Sequence, residues 1–178
     1  MTPPALALRF PEPGDADAVF TAVRESIEEL HRWMSWCQMD YSPADAAQWV
    51  SNQPEAREGG LAFEFVITDG QGRLLGACGV NQINKGTRIA NLGYWVRTSE
   101  TGRGVATQAA KDVAAWAFAN TDLERLEIVA AVGNVASQAV AEKAGALREG
   151  VLRSRLLIHG RFHDAVMLSL IRPRSAAA

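Results

Sequence analysis

Between Leu92 and Lys111 the chain passes from an apolar, aromatic run through a glycine-spaced turn into an alanine-rich periodic segment. That succession restricts the fold more than any other stretch. Leu92-Gly93-Tyr94-Trp95-Val96-Arg97 suits a buried strand. Thr101-Gly102-Arg103-Gly104-Val105-Ala106-Thr107 reads as a turn that opens a helix. Ala106, Ala109, Ala110, Val113, Ala114 and Ala117 recur at helical spacing and place one apolar stripe against a sheet. The first turn of a helix has unpaired N–H groups and partial positive charge. Gly102 and Gly104 hold no ligand away, and Arg103 adds a full charge. The joint is therefore either a cradle for a pyrophosphate or a tight strand-to-helix turn whose glycines serve close packing.

The 178 residues suffice for one domain, expected over 1–172, with 173–178 as a frayed tail. Hydrophobic content of 48% and charged content of 21% are those of an ordinary globular chain. A net charge of -2 gives no global field to attract nucleic acid or an anionic membrane. No apolar run approaches the ~20 residues needed to span a bilayer, and no secretory signal is evident at the N-terminus. Cys37 and Cys78 stand alone in no metal spacing and fit buried free thiols in a reducing cytoplasm.

Read in order, Ala5 to Phe10 forms a first strand, and a helix follows from Asp15 or Asp17 to about Leu30. Trp33 and Trp36 lie three apart and are expected on one helical face, with at least one of them in the core. Ser42-Pro43-Ala44-Asp45 starts a helix that runs to about Arg57. Phe63–Thr68, Leu74–Gln82 and Ile89–Val96 form an antiparallel meander. After the central helix, Leu123–Ala131 reads as a buried strand. Asn134 then caps a helix that ends near Gly145. Strands over Ala146–Ile158 and His163–Ile171 close the chain around His159-Gly160. The order βααβββαβαββ predicts a mixed α/β (α+β) sheet: an antiparallel meander, a β-α-β crossover and a C-terminal hairpin.

Other uses of the glycine turn fit less well. A dinucleotide fingerprint would need glycine where Thr107 stands, although Glu124 and Glu127 lie at about the distance of a ribose-binding acid. Such a fingerprint also belongs to the first joint of a largely parallel sheet. No Gly-Lys-Ser/Thr follows for a nucleotide-triphosphate loop. No metal site is expected: His159 and His163 are four apart but lack a third ligand. Ser137 lacks the nucleophile elbow of a hydrolase. Trp49, Trp95 and Trp116 are most simply core.

Tyr94-Trp95-Val96 followed by Gly102-Arg103-Gly104-Val105-Ala106-Thr107 resembles the acyl-CoA-binding motif of GNAT N-acetyltransferases. Asn134-Val135-Ala136-Ser137 with Glu142-Lys143-Ala144-Gly145 resembles the second signature of that superfamily. With Gly150-Val151-Leu152-Arg153, the chain is most similar to the branch that acetylates N-termini of ribosomal proteins. The resemblance implies acetyl-CoA as donor, no metal, a primary amine as acceptor, a cytoplasmic setting and, since relatives often dimerise, a homodimer among the expected states. It implies that the main chain at Val96 faces the thioester carbonyl. It gives the cofactor Thr98, Gly102, Arg103, Gly104, Val105, Ala106, Thr107, Asn134, Ser137 and Lys143, and sets Trp33, Trp36 and Asn91 on the acceptor side. For Asn134, spacing alone leaves a helix cap and a cofactor contact equally open.

The chain departs from the family pattern at chemically important positions. Many relatives have Gln or Arg where Thr101 stands, and Ala146 replaces a usual Phe. Ala141 occupies the position of a tyrosine that protonates the leaving thiolate, so Ser137 is the expected proton donor. Asn91 occupies a position where relatives often carry a carboxylate, and Asn cannot act as a base. At pH ~7.4 a lysine amine with pKa ~10.4 costs ~4 kcal/mol to deprotonate, whereas an α-amine of pKa ~7.8 costs ~0.5 kcal/mol. This difference favours a peptide N-terminus, or a small molecule with a low-pKa amine, over lysine as acceptor. Glu64, Glu100, His31 and His163 are the candidate bases. The alternatives are a polyamine or amine-bearing antibiotic as acceptor, or an acyl-CoA-binding module without turnover.

Overall fold

The computed structural model describes residues 6–174. The expectations placed on Ala5 and on residues 175–178 lie outside that range. The elements are β1 (Leu6–Arg9), α1 (Ala16–Glu25), α2 (Ile27–Trp33), α3 (Pro43–Glu58), β2 (Phe63–Asp69), β3 (Leu74–Asn84), β4 (Ile89–Val96), α4 (Val105–Asn120), β5 (Arg125–Ala131), α5 (Val135–Lys143), β6 (Leu147–Ile158) and β7 (Arg161–Ile171). Short 3-10 turns occupy Pro13–Asp15 and Thr98–Glu100. The strands form one sheet in the order β1-β2-β3-β4-β5-β7-β6. β4 and β5 pair in parallel, and the other neighbours are antiparallel. This is the expected mixed sheet, with α4 as the crossover between β4 and β5.

Alternate residues of β2, β3 and β4 feed two cores on opposite faces of the sheet. On one face Phe65, Ile67, Val80 and Leu92 pack under the alanine stripe of α4, including Ala109, Ala110, Val113 and Ala117. On the other, Val66 and Leu74 pack against α1, α2 and α3 through Val19, Val23, Leu30 and Val50. Trp116 lies with the first core against Phe10, Phe63 and Phe65, as expected.

The single helix expected from Asp15 or Asp17 to Leu30 is two helices. The break at Ser26 has a tertiary cause: Ser26 Oγ accepts the N–H of Thr98 at 2.9 Å. Beside it Glu25 accepts from Ser99 Oγ at 2.6 Å and pairs with the buried Arg97. Trp33 and Trp36 do not share a helical face, and neither is in the core: Trp33 is half-buried and Trp36 exposed. α2 stops at Trp33, Met34 is extended, and the chain turns to bury Cys37, whose carbonyl contacts His31 Nδ1 at 2.8 Å. β5 starts at Arg125 rather than Leu123, while β7 starts at Arg161, ahead of His163. The turn between β6 and β7 places His159 (φ 45) and Gly160 (φ 77) in the left-handed region that a two-residue hairpin requires. Cys37 and Cys78 are both free and buried.

Candidate active site

The parallel ladder between β4 and β5 is short. Ile89, Ala90 and Asn91 pair with Arg125, Leu126 and Glu127, and the register goes no further. Beyond Asn91, β4 keeps only β3 as partner. The N–H of Arg97 donates to Leu75 O at 2.7 Å on that side. Successive amides in a strand point opposite ways, so the N–H groups of Val96 and Tyr94 face the gap opened toward β5.

The gap opens on a cavity of about 850 Å³. One wall is aromatic, formed by Trp33, Trp36, Tyr41, Trp49 and Trp95. Trp36 and Trp95 rings lie 6.3 Å apart, and Trp36 meets Tyr41 edge-on at 6.0 Å. Trp95 and Trp49 therefore line the cavity besides packing against the second core. Trp33 spans from the end of α2 to the turn before α5, where a β-carbon on Gly133 would lie 3.2 Å from its ring.

Three polar side chains from three strands lie in a row on the cavity floor. Asn91 Nδ2 donates to Asn81 Oδ1 at 3.0 Å, and Asn81 Nδ2 donates to Glu64 Oε1 at 2.8 Å. Asn91 reaches the cavity as the outer end of a hydrogen-bond chain that leads to a carboxylate. Glu64 pairs across the ladder with Gly79, which pairs with Gly93. A β-carbon on Gly79 would collide with Glu64 Oε2, so this glycine lets the carboxylate lie across β3. Burial raises the Glu64 carboxyl above its ordinary value, while the bond from Asn81 opposes that shift. Among the other candidate bases, Glu100 is buried and held by Arg73 and Arg103, each at 2.8 Å. His31 stacks on His159 at 3.8 Å. Neither these residues nor His163 line the cavity.

Ser137 and Asn134 line the opposite side of the gap. Asn134 caps α5 by accepting the Ser137 N–H at 3.1 Å, which commits its side-chain oxygen and leaves its amide nitrogen available. Tyr94 reaches the same point from β4. Its hydroxyl donates to Ser137 O at 2.8 Å and stands 3.2 Å from Ser137 Oγ. Burial pushes the Tyr94 phenol up to about 12, so it stays protonated. In the sequence Tyr94 belongs to the Tyr94-Trp95-Val96 strand motif but has no role of its own. The available signal was that a buried tyrosine hydroxyl needs a partner.

From Val96 the chain runs through Thr98–Glu100 to the mouth of α4. Gly104 occupies the N-cap position at φ 81, and no side chain caps the helix. The first N–H groups, at Val105, Ala106 and Thr107, therefore lack intrahelical partners. Gly102 (φ 73) and Gly104 bring bare main chain to this mouth, and Arg103 stands beside it, braced by Glu100. The geometry fits a phosphate-bearing ligand, with donors and one cation at the helix mouth and a strand gap farther back. The Thr98 N–H is taken by Ser26, and Lys143 sits on the exposed last turn of α5, at the other end of that helix from Asn134. Among the described residues no cluster of metal-ligating side chains occurs.

A family model described as an acetyltransferase (GNAT) domain matches residues 5–147. The chain is 30% identical over 175 residues to the putative ribosomal N-acetyltransferase YdaF of Bacillus subtilis (strain 168), covering 94% of this chain and 91% of that one. It is 26% identical to the ribosomal-protein-serine acetyltransferase of Escherichia coli (strain K12), over 80% of this chain and 79% of that protein. Among solved structures, the RimL ribosomal L7/L12 alpha-N-protein acetyltransferase in complex with coenzyme A superposes with a TM-score of 0.86 at 25% identity, covering 96% of this chain and 95% of that one.

Proposed function

Since the chain belongs to the GNAT acetyltransferase family and is an acetyl-CoA-dependent N-acetyltransferase, we propose that it acetylates the α-amine at a protein N-terminus, of the ribosomal-protein type. The amine attacks directly in a ternary complex, and residues 1–172 act as one catalytic domain. The observation that carries this reading is the gap between β4 and β5, open to an aromatic-walled cavity and continued along the chain by an uncapped helix mouth.

Acetyl-CoA supplies an activated acetyl carbonyl. The chain positions it and stabilises the charge that develops. Main-chain donors from Gly102 to Thr107 take the pyrophosphate, and Arg103 adds charge at the same place. The N–H of Val96 faces the carbonyl oxygen, where a fixed donor strengthens its bond as negative charge develops. Asn134 meets the pantetheine arm through its free amide nitrogen. Ser137 holds a proton for the leaving sulfur, its hydroxyl fixed by Tyr94 and its N–H by Asn134. Trp33 and Trp36 wall the acceptor channel, and Asn91 faces the incoming amine. Holding amine and thioester together supplies the proximity term.

The test is free-thiol release with acetyl-CoA and an acceptor panel. The panel holds peptides with a free N-terminal serine, the same peptides with a blocked N-terminus and one lysine, spermidine, and an aminoglycoside. Transfer to the free N-termini is expected. Transfer confined to spermidine or the aminoglycoside would replace the acceptor assignment, and no release with any amine would overturn the function.

A further inference from the structure

We propose that Glu64 is the catalytic base, receiving the proton of the acceptor ammonium through Oε2. This rests on the acceptor assignment above. Asn91 leaves β4 without a carboxylate at the cavity, yet one arrives from β2. The side chain of Glu64 crosses β3 in the space left by Gly79, toward Gly93 at the start of the open part of β4. Strands lie about 4.8 Å apart, so a carboxylate above β3 stands one strand spacing from β4. Asn81 binds Oε1 and is itself held by Asn91, which fixes the rotamer. Among the described residues no hydrogen bond reaches Oε2, and it is not sealed from the cavity.

The other charged groups on the cavity are Asp40, Asp45 and Arg155. Asp45 is committed to the Ser42 cap. Arg155 is exposed, Val19 and Val23 of α1 are apolar, and the Cys78 thiol behind the sheet stays neutral because burial raises its pKa. Among the described residues no cation pairs with Glu64, so an ammonium entering between the tryptophans finds its countercharge there.

The step balances. The ammonium gives one proton to Glu64, and the freed lone pair forms the C–N bond at the acetyl carbon. The C–S bond then breaks, and the sulfur leaves as thiol with a second proton, passed through Ser137 from the nitrogen. Glu64 later returns its proton to water. A raised carboxyl pKa brings the base nearer to an α-amine than to a lysine.

Glu64→Gln keeps an oxygen to accept from Asn81, so the fold and acetyl-CoA binding should survive, read as an unchanged thermal shift with cofactor. With a serine peptide its kcat should fall about a hundredfold. Its residual rate should climb tenfold per pH unit up to the amine pKa of ~7.8, below which the wild type stays flatter. A second readout needs no turnover. With coenzyme A bound, calorimetry should show the wild type preferring the free-amine peptide over its N-acetylated twin, and E64Q losing that preference. An active wild type with E64Q equal to it in rate, pH profile and preference would overturn the role of Glu64 alone. A wild type inert toward every amine would overturn the acceptor assignment instead.

Discussion

Tyr94 brings a hydroxyl to the seam between β4 and α5, and Ser137 meets it with both a carbonyl and a hydroxyl. Tyr94→Phe should destabilise the protein by about 1 kcal/mol, the net worth of one hydrogen bond, measured by urea unfolding. It should also free the Ser137 rotamer, so kcat drops, though less than in Ser137→Ala. Equal kcat in Tyr94→Phe and wild type would remove Tyr94 from the positioning of Ser137. Glu64 makes a separate prediction about stability. Its folded pKa is raised, so the folded state binds the proton more tightly than the unfolded chain does. Stability from this group is present below the unfolded value and is lost as pH rises through the folded one. Glu64→Gln should therefore raise the melting temperature above that pH relative to its effect at pH ~4, even as turnover falls. Ser137 could be singled out from the chain alone because it sits inside a recognisable motif, and Asn91 because it stands where relatives often carry a carboxylate. The partners of Tyr94 and Glu64 could not. Tyr94 and Ser137 are 43 residues apart, Glu64 and Asn81 are 17 apart, and only strand register and helix docking bring them together.

At the scale of elements, β4 has the bounds Ile89–Val96 expected from its apolar run between Gly86 and the polar link. α5 begins on Asn134 because a short polar side chain before a periodic run is a local signal. Replacing Asn134 by alanine should cost about 1 kcal/mol through loss of the cap, with a rise in the KM for acetyl-CoA from the lost amide contact. The break between α1 and α2 is the opposite case. No glycine or proline marks it, since the hydroxyl of Ser26 is drawn to Thr98, 72 residues later. That contact fastens two helices to the end of β4, next to the helix mouth. Ser26→Ala would leave a partly buried N–H without its acceptor, at a cost of about 1–3 kcal/mol by denaturant unfolding. A change under 0.5 kcal/mol, the range of a neutral surface substitution at about that size, would show that Glu25 and Arg97 hold the junction unaided.

Over the whole molecule, the sheet consists of two parts joined by the short ladder of Ile89–Asn91 with Arg125–Glu127 and by α4, which packs over β3 and β4 before leading into β5. The C-terminal part is cross-braced by Arg125 on β5, which grips Glu149 on β6 at 2.6 Å while Ser169 on β7 donates to the same carboxylate at 2.6 Å. Arg125 and Ser169 hold Glu149 down at about 2, so its contribution is present above the ordinary carboxylate range and lost as pH falls toward about 2. The stability gap between wild type and Glu149→Gln should accordingly close on acidification. The open seam itself makes the larger prediction. A ligand that places a phosphate at the mouth of α4 and its acyl arm between β4 and β5 touches both parts, so it binds the folded chain and not the unfolded one. At a hundredfold excess over Kd, acetyl-CoA should add about 2.7 kcal/mol, or roughly 5–11 °C in melting temperature for a chain of this size. Arg103→Glu puts a second acid beside the buried Glu100 at the mouth and should remove most of that shift, while Arg73 still pairs with Glu100, so the unliganded chain stays folded at a lower melting temperature. A full shift in that variant would show that the main-chain donors alone hold the phosphates, and loss of the unliganded fold would show that Arg103 braces the turn rather than the ligand.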